Sequence, residues 1–192
     1  MRFVLFNIAL ISVCLQLACT PAAPPVAIGN KPVSVNGVRT NEARETATVD
    51  LLEMSWAGFD GGVTKLKDLN GKAVILDFWA TNCPPCIEEI PHLLSLKSKY
   101  GEELVVIGLH VGDDEDRKNV PAFVDKLKIT YPLADPDTAL KDFIFQTNSA
   151  IPQTVVFDRK GAMIRKIVGF NSEIGAELDR AVERAVGAAT QN

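Results

Sequence analysis

Two cysteines separated by two prolines are the residues of this chain whose types and spacing point most directly to chemistry. They lie in FWATNCPPC, residues 78–86, where Cys83 and Cys86 flank Pro84 and Pro85. Such a pair can be a redox centre, half of a metal site or a structural staple. A bridge across so short a loop removes little entropy from the unfolded chain, so a staple here would stabilise the fold only weakly.

A zinc site is the second interpretation of the pair. Structural zinc takes four protein ligands as a rule. Beyond the N-terminal region, the chain has only His92 and His110 as further Cys or His ligands, and no second cysteine pair at a useful spacing. The sequence therefore favours redox chemistry, and we expect no metal.

The elements around the pair would place its sulfur atoms at the start of a helix. The nearly continuous apolar run KAVILDFWA, residues 72–80, predicts a strand buried on both faces. Residues 84–100 predict a helix that starts on two prolines and is kinked at Pro91. Cys83 would then be the N-cap residue, where the helix dipole stabilises a thiolate, and Cys86 would be the resolving thiol.

The two prolines also bear on the direction of electron flow. Proline has no backbone N–H, so Pro84 and Pro85 cannot donate hydrogen bonds to a thiolate on Cys83. The amide of Cys86 is the main donor that remains. A less stabilised thiolate means a less stabilised reduced form, so we predict a reductant rather than a strong oxidant.

The remaining patterns predict an α/β domain with a mixed sheet and helices on both faces. A strand, a crossover helix and a second strand form a βαβ unit with right-handed parallel pairing. Ser172 is predicted to cap the last helix. The other predicted elements are a first strand within 47–56, a helical or loop segment after the turn at 59–62, a strand at 103–111, an acidic loop at 112–117, helices at 119–129 and 137–145, strands at 151–158 and 162–169, and a helix at 172–186.

The first eighteen residues predict export from the cytoplasm. Arg2 is followed by an apolar run from Phe3 to Val13, which is too short for a spanning helix and is typical of a secretory signal. Ala18 before Cys19 resembles the lipobox of bacterial lipoproteins, although Gln16 stands where that motif has leucine. A lipidated Cys19, an ordinary cleaved signal and an uncleaved anchor remain open, and all three place the protein in the periplasm or cell envelope.

Composition bounds the rest of the chain. Residues 19–47 are rich in Pro and Ala and predict a flexible tether, which leaves 48–188 as one domain. The 192 residues are 47% hydrophobic, so a sizeable core is expected. A net charge of −4 without a Lys or Arg run argues against a nucleic-acid partner.

The segment DFWATNCPPCIEEIPHL, together with IPQT at 151–154, resembles the thioredoxin superfamily. It is most similar to the membrane-tethered TlpA/ResA-like (DsbE-like) thiol–disulfide oxidoreductases of bacteria, over roughly residues 48–186. The resemblance implies a thioredoxin-like fold with an N-terminal strand extension and a central helical insert, and no cofactor. It also implies protein disulfides as substrates, a membrane electron donor of the disulfide-reductase type, and a place in cytochrome c maturation or the reduction of copper-site cysteines.

The resemblance assigns further site residues. Asp77 matches the buried aspartate that helps deprotonate the resolving cysteine, with a partnered polar residue on the opposite face as the alternative. Glu89 matches an active-site glutamate of ResA-like proteins, with a solvated helix glutamate as the alternative. Pro152 matches a cis proline beside the cysteines, and it is expected to contact substrate together with Ile151.

The residues around the cysteines are also expected to contact substrate, namely Asn82, Pro84 and Pro85. The family usually has tryptophan at the position of Asn82. Asparagine removes apolar area there, so either partner choice has shifted or the amide forms a hydrogen bond near Cys83.

Three other functions share part of this pattern. A disulfide oxidase or isomerase would use the same residues and differ in potential and partner. A peroxidase is disfavoured because peroxiredoxins place Thr or Ser three residues before the reactive cysteine, where this chain has Ala80. A non-catalytic copper chaperone of thioredoxin fold would be expected to carry CxxxC and a distant histidine rather than CxxC.

Overall fold

A seven-stranded mixed sheet organises residues 50–187, the part of the chain that the computed structural model describes. The strands in chain order are β1 (Ser55–Gly58), β2 (Val63–Lys65), β3 (Ala73–Trp79), β4 (Leu104–His110), β5 (Leu133–Pro136), β6 (Gln153–Phe157) and β7 (Met163–Val168). Their order across the sheet is β2-β1-β5-β4-β3-β6-β7. Strands β3, β4 and β5 run parallel, and the other neighbours pair antiparallel.

The described residues also form five α-helices. They are α1 (Pro84–Tyr100), α2 (Asp114–Arg117), α3 (Val120–Leu127), α4 (Thr138–Phe145) and α5 (Ser172–Gly187). Helix α1 has the predicted bounds and continues through Pro91, and Gly101 follows it with a positive φ of 54° that favours glycine. The β3–α1–β4 unit is the predicted parallel crossover.

Strand β3 is buried along its whole length because each of its faces contributes to a separate core. Ala73, Ile75 and Trp79 join the core that contains both cysteines and side chains of α1, α3 and α5. The alternate residues, exemplified by Leu76 and Phe78, join a second core with α4. The predicted mixed sheet with helices on both faces is confirmed.

The N-terminal strand is shorter than predicted. The side chain of Asp50 accepts a hydrogen bond from the amide of Leu52 and caps a 3-10 turn at Leu51–Glu53, so the strand begins only at Ser55. The segment after the 59–62 turn is a strand, β2, paired with β1 and followed by a 3-10 helix at Leu66–Leu69.

Two further expectations are corrected, and one strand was missed. The acidic loop contains helix α2, which Asp113 caps through its hydrogen bond from the amide of Asp116. Strand β5 was not predicted, because four residues that end on a proline show no apolar run. Helix α5 is capped by Asn171, whose Oδ1 accepts from the amide of Ile174, and not by Ser172.

The signal sequence, the Cys19 lipidation and the tether lie outside the described residues and stay predictions. Within residues 50–187, no helix combines the length and the apolar character needed to cross a bilayer.

Candidate active site

A disulfide joins Cys83 and Cys86 across the first turn of α1. Cys83 precedes the helix with an extended backbone, Cys86 is the third helical residue, and their Cα atoms are 5.3 Å apart. Both are buried, with 5% and 1% of their surface exposed. The helix therefore places the two sulfurs as its sequence pattern predicted.

The N-terminus of α1 supplies the sulfur atom of Cys83 with one hydrogen-bond donor among the described residues. The amide of Cys86 lies 3.3 Å from Cys83 Sγ and donates to it. Pro84 and Pro85 occupy the first two helical positions and have no N–H to offer. A thiolate on Cys83 thus receives less stabilisation here than an N-cap group ordinarily can.

Asp77 and Glu89 are buried on the face of the sheet that carries the cysteines. Asp77 lies between Ile75 and Trp79 in the alternation of β3, and both of those side chains belong to the cysteine core. Asp77 and Glu89 are each 1% exposed, and the Thr154 hydroxyl donates to Glu89 Oε1 at 2.5 Å. The solvated alternative for Glu89 and the opposite-face alternative for Asp77 are therefore wrong.

Burial perturbs both acids in the same direction. It raises the pKa of Asp77 well above its usual range, and the nearby charge of Glu89 raises it further. Burial also raises the pKa of Glu89 to about 7, against the opposing effect of the Thr154 hydrogen bond. A carboxyl group with the pKa of Glu89 can take up and release a proton near neutral pH.

Tyr131 and Gly108 complete the surroundings of the acids, and sequence reasoning missed both. Burial raises the pKa of Tyr131 well above its usual range, and the charges of Asp77 and Glu89 add to this, so its phenol stays protonated. Gly108 is paired with Asp77 in the sheet. A Cβ there would lie 2.9 Å from Trp79 Nε1 and 3.0 Å from Tyr131 Cε2. A glycine inside an apolar strand is a signal of such close approach.

The Ile151–Pro152 peptide bond is cis, as the resemblance implied. Pro152 is buried, and the half-buried Ile151 packs against the core that contains the cysteines. Gln153 holds the preceding loop, since its Nε2 donates to the carbonyl oxygens of Asn148 and Ala150 at 2.6 and 2.9 Å. The cis proline segment therefore adjoins the cysteine core, where a substrate contact was predicted.

Sequence reasoning missed a second buried network, which centres on Asp116. Its carboxylate accepts from the Thr81 amide at 3.0 Å and from the Thr81 hydroxyl, and His110 Nε2 lies 2.8 Å from Oδ2. An ionised carboxylate can only accept, so Nε2 carries the proton. Burial alone would raise the pKa of Asp116, but the hydrogen bonds from Thr81 and His110 hold it below its usual range.

Asn82, the residue next to Cys83, is exposed. Its side chain forms no hydrogen bond with any residue of the described range. The alternative in which the Asn82 side-chain amide forms a hydrogen bond near Cys83 is therefore not found. Pro84 is exposed as well, and Pro85 is half-buried. The surface beside the buried sulfurs is therefore polar at Asn82 and apolar at the prolines.

No group of three or more His, Cys, Asp or Glu side chains within residues 50–187 could hold a metal ion.

Residues 48–166 match the sequence profile of the AhpC/TSA family. The chain belongs to this family. This AhpC/TSA protein is also similar to a solved structure, that of a thiol:disulfide interchange protein, thioredoxin family protein from Chlorobium tepidum TLS, to which it is 30% identical in sequence. That likeness has a TM-score of 0.58 and covers 69% of this chain and 92% of the other. The predicted membership of the thioredoxin superfamily is confirmed.

Curated relatives of this AhpC/TSA protein include a thiol-disulfide oxidoreductase ResA of Bacillus cereus. It is 34% identical over 110 residues, which are 57% of this chain and 62% of the relative. The thioredoxin-like protein YneN of Bacillus subtilis (strain 168) is 32% identical over 58% of this chain and 65% of its own length. The chain thus spans less than two thirds of the length of these relatives.

A second solved structure shows the fold alone. A putative thiol:disulfide interchange protein DsbE from Chlorobium tepidum has a TM-score of 0.62 at 24% identity, covering 72% of this chain and 96% of the other. The predicted thioredoxin-like fold is confirmed.

Proposed function

We propose that this protein is a thiol–disulfide oxidoreductase that reduces protein disulfides through Cys83 and Cys86. The observation that carries the proposal is the disulfide across the first turn of α1, on the same face of the sheet as two buried carboxyls with raised pKa values. The names of the ResA relatives and of the Chlorobium tepidum structure support the same activity.

The reaction begins with the reduced protein. The Cys83 thiolate attacks one sulfur of a substrate disulfide, a mixed disulfide forms, and the other substrate sulfur leaves as a thiolate and is protonated. Cys86 then loses its proton and attacks Cys83 Sγ. The mixed disulfide breaks, the second substrate thiol is released, and two electrons have passed from the protein to the substrate.

Asp77 and Glu89 are the proposed proton acceptors for Cys86. A resolving thiol that is 1% exposed has no ready access to solvent base. A buried carboxylate with a pKa near neutrality can accept its proton and return it later. The Thr154 hydroxyl fixes the orientation of Glu89 for this role.

The proposed direction is reduction. The single amide donor at Cys83 Sγ supports a weakly stabilised thiolate, which favours the disulfide form of the protein and gives it a reducing potential. A disulfide oxidase or isomerase and a copper-binding protein share the fold, but no observation on the described residues favours either. Equilibration with glutathione tests the direction, and a potential near that of strong periplasmic oxidants, about −120 mV, would contradict it.

The proposed location is the bacterial cell envelope, with a lipid anchor on Cys19. This rests on the sequence pattern of residues 1–19. A membrane protein of the disulfide-reductase type would return electrons to the Cys83–Cys86 pair. Apocytochrome c and copper-site cysteines are the candidate substrates that the resemblance implies. Mass-spectrometric detection of a diacylglyceryl group on Cys19 tests the anchor.

The decisive experiment is reduction of insulin by the full chain with dithiothreitol as the electron source. The wild type should accelerate precipitation of the insulin B chain, and Cys83→Ser should abolish the acceleration. Cys86→Ser cannot resolve a mixed disulfide, so it should accumulate covalent complexes that identify the substrates. A wild type with no acceleration would refute the proposal.

A further inference from the structure

We propose that Asp116, supported by His110, is a positioning residue that anchors Thr81 and thereby holds Cys83 in place when its disulfide is open. The proposal rests on the proposed function in one respect only, that Cys83 is the attacking thiol. Within residues 50–187, none of the three residues forms a hydrogen bond with a sulfur atom, so all three are treated as positioning residues.

The anchor consists of two hydrogen bonds to one residue. The amide and the hydroxyl of Thr81 both donate to the Asp116 carboxylate, the amide at 3.0 Å. Thr81 lies two residues before Cys83 along the chain. Hydrogen bonds to an ionised acceptor are about twice as strong as neutral ones. A buried carboxylate that binds both groups therefore fixes the position of the turn that leads into Cys83.

Asp116 itself is held through both its backbone and its carboxylate. The Asp116 amide donates to Asp113 Oδ1 at 2.8 Å, and His110 Nε2 lies 2.8 Å from Asp116 Oδ2. The His110 ring packs edge-on against Trp79, with 5.4 Å between the ring centroids. A Cβ on Gly112 would come within 2.3 Å of Asp116 Oδ2, so the carboxylate lies directly against that backbone. An acid held in this way can position another residue.

The helix side of the site holds Cys83 through two backbone amides. The contacts there are the Cys86 amide with Cys83 Sγ at 3.3 Å and the Ile87 amide with the Cys83 carbonyl at 3.2 Å. The prolines contribute no donors, and the exposed Asn82 side chain forms no hydrogen bond with any other residue that the structure describes. When reduction breaks the covalent link to Cys86, the Thr81–Asp116 contact is the nearest side-chain anchor that remains upstream of Cys83.

Loss of the anchor would let Cys83 move away from the helix N-terminus. The thiolate would then lose the Cys86 amide and the favourable end of the helix dipole, so its pKa would rise and its nucleophilicity at neutral pH would fall. The loss would follow from geometry and not from the charge of Asp116. Removing a nearby negative charge would have the opposite effect, because it would favour the thiolate.

Loss of the anchor and loss of the negative charge should change the reactivity of Cys83 in opposite directions, and this allows a direct test in the reduced full chain. Iodoacetamide alkylation at pH 7, with the labelled cysteine located by mass spectrometry, gives the reactivity of Cys83. Asp116→Ala should slow alkylation about fivefold, as expected for loss of an N-cap contact. Asp116→Asn keeps an oxygen for the Thr81 amide and an NH2 for its hydroxyl, so its rate should stay within about twofold of the wild type. Asp125→Ala is the matched control and should have no effect, since Asp125 is exposed and its one ion pair within residues 50–187 is with Lys128.

The other outcomes overturn the proposal in distinct ways. Equal acceleration by the Ala and Asn variants would assign Asp116 an electrostatic role. An unchanged alkylation rate with a lower free energy of unfolding would assign it a purely structural one. If Asp116→Ala does not fold, Thr81→Val should slow alkylation and Thr81→Ser should restore it, and equal rates for the two would refute the anchor. Labelling of Cys86 before Cys83 in the wild type would instead refute the assignment of the nucleophile, which belongs to the proposed function.

Discussion

Glu89 and Asp77 are acids that the fold buries without a cation beside them. No ion pair within residues 50–187 involves either side chain, and three of their four carboxyl oxygens have no hydrogen-bond partner there. Burial of this kind favours the protonated form of a carboxyl group. Burial without a cation suits these two residues to proton transfer. It also means that their ionisation lowers the free energy of unfolding.

The destabilisation caused by ionised Glu89 should be measurable as a pH-dependent difference in the free energy of unfolding between the wild type and Glu89→Gln. The pKa of Glu89 is raised from 4.5 to about 7 in the folded protein, so the folded state binds more protons than the unfolded state between these values. Stability is therefore lost as the pH rises from 4.5 through 7. Glu89→Gln cannot ionise, so at pH 8 it should be more stable than the wild type by up to roughly 3 kcal/mol, and at pH 4 it should match it.

Urea unfolding of the oxidised proteins at pH 4 and pH 8 measures this difference. Glu88→Gln is the matched control, because Glu88 is the exposed neighbour on the same helix and should show no gain at either pH. A Glu89→Gln variant without a gain at pH 8 would show that Glu89 is not held in a strongly shifted state.

Asn82 is predicted to affect partner choice and not the redox chemistry. Its side chain is exposed and forms no bond to the cysteine region, so Asn82→Trp adds apolar surface without changing the hydrogen bonds of Cys83. The set of proteins trapped by Cys86→Ser should change when Asn82→Trp is added, and the reduction potential should stay the same. An unchanged set of trapped proteins would contradict this role.

Residues whose roles depend on local sequence were the predictable part of the site. Cys83 and Cys86 are placed by the strand and helix that flank them, and both patterns are visible in fewer than thirty residues. Thr81 and Asp116 are 35 residues apart. Their contact depends on where α2 lies against the end of β3, and no local pattern encodes that position.

At the scale of elements, length and periodicity decided which predictions were correct. Strand β3 and helix α1 carry seven and seventeen residues with clear apolar patterns, and both were predicted. Strand β5 and helix α2 have four residues each and were missed. Such short elements are stabilised by their neighbours: β5 pairs with β4 and β1, and α2 depends on its Asp113 cap.

The end of helix α3 gives a prediction at this scale. Lys128 follows α3 in the left-handed conformation, with φ 55° and ψ 43°, where a side chain is strained and glycine is not. Lys128→Gly should therefore raise the free energy of unfolding by about 0.5–1 kcal/mol. The lost ion pair with Asp125 is exposed and contributes little.

The matched control is Lys126→Gly in the last turn of the same helix, which should lower stability by about 0.5–1 kcal/mol. Denaturant unfolding of both variants decides the question. A Lys128→Gly variant that is less stable than the wild type would show that Lys128 is not strained in its left-handed conformation.

At the largest scale, residues 50–187 form two cores, and the sheet separates them. The cysteines, Asp77 and Glu89 lie with α1, α3 and α5 on one face, and α4 covers the other. The alternation of β3 let the sequence predict that both faces are covered. It did not reveal which helix lies on which face, because that depends on how β5 and its connections pass across the sheet.

Separation of the cores predicts that stability and redox chemistry can be changed independently. Leu140 of α4 is fully buried in the far core, so Leu140→Ala should lower the free energy of unfolding by about 2–5 kcal/mol. The alkylation rate of Cys83 should stay within about twofold at a temperature where the variant is folded. Leu52→Ala, at a site with 38% exposure, is the control and should cost far less. A change in Cys83 reactivity matching the stability loss would show that the sheet transmits the disturbance.

The two edge strands of the sheet, β2 and β7, limit self-association. An open sheet edge can recruit a strand from another molecule, and proteins limit this with short or charged edge strands. Strand β2 is only three residues long, and β7 carries Arg165 and Lys166. Both edges are thus poor templates for aggregation. If the proposed substrates are protein chains with disulfides, they can then contact the end of the sheet that carries the cysteines without being added to its edges.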